Sequence, residues 1–228
     1  MDLWRTRNHS IKMLTKEYGQ QGKAIEEAFS IIDDCIGLLN RKTPYDDFHW
    51  ICGLALAKAR NYALGAYELI LDGLAQEAGA LVRPFIEYHE LLIYFRKNTS
   101  RVKEALEDRL PPAGKRAQEI GGCFHGFREY LNKHASHSSF SHHALNHLFE
   151  KPEMTIRKEQ PMLPNALFRN ISDFFVLMIL LGIEAVNCLQ TEEGSSAEAQ
   201  AMALDELRRK GIDIFRLDER SNKDALKV

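Results

Sequence analysis

Apolar residues recur at helical spacing along almost the whole chain, and almost nowhere do they alternate as a strand requires. That regularity restricts the fold to packed helices. A period near 3.6 gathers an apolar stripe on one side of a helix, whereas a pleated strand needs a period of two. Ala24, Ala28, Ile31, Ile32, Cys35, Leu38 and Leu39 share one such face, in a first helix expected over about Ile11–Leu39 and interrupted near Gly19 and Gly22. No paired runs rich in Val, Ile and Thr flank an Asn-Gly turn.

Punctuation residues divide the rest. "NRKTPYDD" stops one helix and restarts another. Thr43 suits an N-cap, Pro44 the first helical position, and Asp46 and Asp47 the positive end of the helix dipole. Tyr45–Lys97 is too long for one ordinary helix and predicts two packed helices, with a turn near Gly73 or a kink at Pro84. A short helix capped by Thr99 or Ser100 ends at Pro111 and Pro112, and a further one is weakened at Gly121, Gly122 and Gly126. "FEKPEMTIRKEQPMLPN" reads as a loop. A long apolar helix follows over about Asn165–Gln190, then a last helix capped by Ser195 or Ser196 and running to about Lys210, then a charged tail. No helix of this kind is stable alone, so the stripes must pack on one another. The expected fold class is all-α, a multi-helix up-down bundle with long antiparallel helices. It forms a single domain in three stretches: an N-terminal helix within residues 1–42, a bundle core over 43–190, and a C-terminal helix with its tail over 191–228.

A chain of 228 residues can bury a core without disulfides or a structural metal. The net charge of −2 speaks against a chain-wide grip on nucleic acid. The four cysteines, Cys35, Cys52, Cys123 and Cys188, share no ligand or redox spacing, which predicts reduced thiols in a cytoplasmic protein. The N-terminus has no signal-peptide pattern. The most apolar run, Phe174–Ile183, is short for a bilayer and is flanked by Asp173, Glu184 and Asn187, so a buried core helix is expected and no membrane contact. A homodimer through an apolar helix face is expected.

Chemistry concentrates in two places. In "ALVRPFIEYHELLIYFRK", Arg83, Glu87 and Glu90 stand at i, i+4 and i+7 on one face of a greasy helix, and Tyr94 continues the row. Such a row is either a solvated intrahelical ion pair or a polar pocket inside the bundle. His89 beside Glu90 reads as a surface pair. The second place is Arg128–His147, "REYLNKHASHSSFSHHALNH", which holds five of the nine histidines. His134 and His137, or His143 and His147, have chelating spacing on a helix, and Glu87 and Glu90 could complete a shell for a metal-dependent hydrolase. No H-E-x-x-H and no matched second half accompanies them, so no metal and no cofactor is expected.

Two resemblances bear on these residues. Arg128 and His134 form R-x5-H, which resembles the signature of the HEPN superfamily of all-helical domains that includes metal-independent endoribonucleases of toxin and defence systems. The resemblance implies a catalytic role for both: Arg128 on the scissile phosphate, His134 in proton transfer, and RNA as substrate. The family places a small polar residue after the arginine, where this chain has Glu129. Over about Ala57–Gln190 the chain also resembles an uncharacterised bacterial all-helical family with L-x-R-x-x-x-E in a long apolar helix followed by a His/Ser segment. Leu81, Arg83, Glu87 and His134 or His137 match, which implies that the row and the histidines lie close together. The leading expectation is a binding or interaction module for a small molecule or protein. Arg83, Glu87, Glu90, Tyr94 and His137 would bind the ligand, beside Arg128 and His134.

Overall fold

In the computed structural model, residues 4–41, 46–135, 145, 148–150, 155–157, 162–191 and 197–217 are described. The helices are α1 (Arg5–Lys16), α2 (Gly19–Arg41), α3 (Asp47–Leu71), α4 (Ala75–Lys97), a 3-10 turn (Thr99–Arg101), α5 (Val102–Leu106), α6 (Ala113–Ile120), α7 (His125–His134), α8 (Pro164–Leu189) and α9 (Glu198–Ile214). The fold is all-α, as the periodicity requires. A two-stranded antiparallel hairpin, β1 (Phe149–Glu150) and β2 (Thr155–Ile156), pairs Phe149 with Ile156 inside the stretch expected to be a loop.

The expected two helices of residues 45–97 are α3 and α4, an antiparallel hairpin turning over Asp72–Leu74. Of the two breaks considered, the turn at Gly73 is used, and Pro84 lies inside α4, which runs on through it. The first long helix breaks at Glu17–Tyr18, slightly before the glycines named for it. Thr43 lies outside the described residues. The cap of α3 is made by Asp46, whose Oδ1 accepts from the amides of Phe48 (2.9 Å) and His49 (3.4 Å). Its other oxygen binds the fully buried His49 ring, so one carboxylate satisfies two orphan amides and a core imidazole. Asn98, not Thr99 or Ser100, starts the next turn, because its Oδ1 accepts from the Ser100 amide at 3.1 Å. The helix that follows ends at Leu106, well before Pro111. Gly121, at φ +68°, ends α6 in the left-handed region and separates it from α7.

At the centre is α8. It packs against α2, α3, α4 and α9, with Leu167, Ile171, Phe175, Met178, Leu181 and Ala185 almost wholly enclosed. Each of the larger of these side chains contributes about 2 kcal/mol of burial. Among the described residues α8 is the one helix long and apolar enough to cross a bilayer, and 67% of its most apolar window is buried inside the fold. α9 runs past Lys210 to Ile214, and Phe215 stacks on Phe175 at 4.5 Å, fixing the C-terminal helix to α8. Ser195, Ser196 and the tail beyond Leu217 lie outside the described residues. Cys35, Cys52 and Cys188 are buried and unpaired by disulfide, while Cys123 is exposed. Burial pushes the Cys35 thiol up to about 12, which leaves it protonated and unreactive.

Candidate functional site

Two faces of α7 meet different neighbours. The helix lies antiparallel along α4: Arg128 reaches Glu90 near the middle of α4, while Leu131 and Ala135 reach Gly79 one end away. A Cβ at Gly79 would lie 2.6 Å from the Ala135 Cβ and 3.1 Å from a Leu131 methyl, so these side chains press directly on the α4 backbone.

The first face closes a buried corner between α4, α6 and α7. Arg128 Nη1 donates to Glu90 Oε2 at 2.9 Å, with the two side chains 11% and 2% exposed. Glu90 Oε1 packs where a Cβ at Gly122 would stand, 2.6 Å away. Burial raises the Glu90 carboxyl above its usual range; Arg128 opposes that and Glu87 adds to it. Arg116 comes in from α6, pushed below its ordinary value by burial while Glu87 and Glu90 pull the other way. Glu90 Oε1, Arg116 Nε, Arg128 Nε and the Asn132 side-chain oxygen are buried without a hydrogen-bond partner. His89 and Glu90 are therefore not a surface pair. His89 is 7% exposed, with its ring edge-on to Phe124 at 5.6 Å and burial lowering its pKa. The sequence hides this because α4 is covered on both flanks, by the α6–α7 link and by α8.

The remaining row residues also have partners of their own. Arg83 and Glu87 bond each other at 3.1 Å, both partly exposed, a geometry worth a few tenths of a kcal/mol. Tyr94, like Glu87 and Glu90, lies within electrostatic reach of Arg116. Its buried hydroxyl donates to Glu104 at 2.8 Å, and the Arg101 guanidinium lies 4.0 Å over its ring. His134 sits at the opposite end of α4, its ring 4.7 Å from that of Tyr130 and its carbonyl accepting from Gln76 Nε2 at 2.7 Å. The structure thus brings Glu90 and Arg128 together, with Glu87 and Tyr94 also within electrostatic reach of Arg116, and leaves His134 at a separate position. His137, His143 and His147 lie outside the described residues. Among the described residues no group of three His, Cys, Asp or Glu side chains is placed to hold a metal ion.

The second face of α7 opens on a cleft of about 800 Å³ between the start of α4, α7 and the first half of α8. Phe127, Tyr130 and Leu131 form one wall. Ile70, Val82, Phe174 and Leu177 supply an apolar floor. Gln76, Asn165, Arg169, Asn170 and Asp173 supply the polar groups. Sequence reasoning missed this set. The signal was present in fragments, since Phe127 and Tyr130 stand at i, i+3 and Asn165 and Arg169 at i, i+4, but only the packing brings three helices distant in sequence to one place. No family model, no curated protein and no solved structure matches the chain.

Proposed function

We propose that this chain is a binding module that receives a small ligand in the cleft between α4, α7 and α8. The observation that supports it is the combination in one concave site of an apolar floor, two half-exposed aromatic rings and several convergent polar side chains, at a volume ordinary for small-molecule sites. The Glu90–Arg128 corner then has a supporting role, fixing α7 as one wall.

The test is a fragment screen by amide chemical shifts on the full chain. Hits should move the amides of Gln76, Phe127, Tyr130 and Asn170, and Phe127→Ala should weaken them several-fold. A screen whose hits all map elsewhere sinks the proposal.

The endoribonuclease alternative draws support from one contact. Glu129 turns outward to His125 at 3.5 Å, both well exposed, so its carboxylate does not crowd Arg128. Arg128 is, however, already held by Glu90. RNA cleavage in EDTA that disappears in His134→Ala would favour that alternative over the binding module. The expected homodimer would have an apolar helix face in the exposed Trp50, Leu54 and Leu64 of α3, and sedimentation of wild type against Leu54→Lys reads it.

A further inference from the structure

We propose that the cleft selects a planar aromatic ligand carrying a carboxylate or phosphate. This rests on the binding-module proposal and adds the chemical class.

The planar body follows from the walls. Phe127 and Tyr130 are 41% and 45% exposed, unlike most large aromatic residues of the chain, and both face the cleft. Phe174, 3% exposed, lies among the residues of the apolar floor. Rings of this kind recognise a flat apolar body by stacking, with little entropy lost on their own side.

The charge follows from what is left uncommitted. Asn165, Arg169 and Asn170 line the cleft, and among the described residues their side chains make no hydrogen bond, ion pair or ring contact. Gln76 already gives its amide to the His134 carbonyl, and Asp173, the one acid among the described lining residues, already has a partner. The uncommitted groups are therefore mostly donors, and among the described lining residues the one uncommitted charge is a guanidinium. A guanidinium offers a planar fork that fits carboxylate and phosphate oxygens. A cationic ligand would meet Arg169, and a neutral sugar would use the amides but leave the guanidinium unmatched.

Two probe pairs test this by titration of the full chain, with cleft amide shifts as the readout: indole-3-acetate against indole-3-acetamide, and AMP against adenosine. Acetate and inorganic phosphate serve as anions without a ring. At least one anionic aromatic should bind tenfold or more tighter than its neutral partner. That advantage should vanish in Arg169→Ala and partly return in Arg169→Lys, and the ringless anions should bind far more weakly. The indole pair and the AMP pair distinguish a carboxylate from a phosphate source. Arg169→Ala should melt with wild type, since its side chain is exposed and unpaired, so a loss of binding is not a loss of fold. If the neutral partners bind the cleft as well as the anions, the chemical class is wrong and the binding module stands. If no probe of either pair moves the cleft amides, the class is wrong as well, and the fragment screen alone decides the binding module.

Discussion

The corner and the cleft share the same two helices and differ in how their polar groups are spent. In the corner, the mostly enclosed Arg128 and the buried Glu90 hold each other at 2.9 Å. In the cleft, Arg169 is exposed and its side chain holds none of the described residues. A charged row on an apolar helix invites a functional reading, yet its deepest charged member here, Glu90, fastens α7 to α4. The chemistry available to a ligand lies where side chains remain unengaged, on the other side of the same helix. Conspicuous charge and available charge are different properties.

The sharpest way to break this comparison is Arg128→Met. If the corner is structural, stranding Glu90 in the interior costs about 3–5 kcal/mol by urea unfolding, while the double change Glu90→Leu with Arg128→Met regains most of it. A single variant as stable as wild type would mean that the pair fastens nothing. Next in size is Gly122→Ala. The added methyl displaces the Glu90 carboxylate and should cost about 1–3 kcal/mol; an unchanged denaturation midpoint would show that the corner has slack.

A third measurement uses pH. The folded Glu90 carboxyl titrates above its unfolded value near 4.5. Between those two values the folded state keeps a proton that the unfolded state has released. Ionising Glu90 therefore opposes folding, and wild-type stability should fall as pH rises through that window, relative to Glu90→Gln. A difference curve that is flat or opposite in slope removes the buried-carboxylate account. The smallest effect belongs to the cleft: Arg169→Ala should change stability by less than about 0.5 kcal/mol. A larger loss would mean the cleft side chain is structural too, and the contrast between the two regions would dissolve.

The all-α class, the α3–α4 hairpin and the buried α8 were legible because length, periodicity and turn residues are local properties. Helix ends were less so. Asp46 outcompetes the expected Thr43 cap because its carboxylate serves two amides and a buried imidazole together, and nothing in "NRKTPYDD" announces His49 as a core residue. For the candidate site, the pairing of Arg83 with Glu87 could be read from spacing, since both sit on one helix. The pairing of Glu90 with Arg128 spans 38 residues and depends on the antiparallel course of α7. The cleft was least legible of all. Asn165, Arg169 and Asn170 look like an ordinary polar helix start until Phe127 and Tyr130 are placed opposite them.

Gly79 gives these observations a practical edge. Because the Ala135 and Leu131 methyls press on the bare α4 backbone there, any larger residue acts as a shim that pries α7 outward. The gauge of the binding slot is thus adjustable at a position that touches neither the guanidinium nor the rings, and graded substitutions there would tune which ligand sizes are admitted.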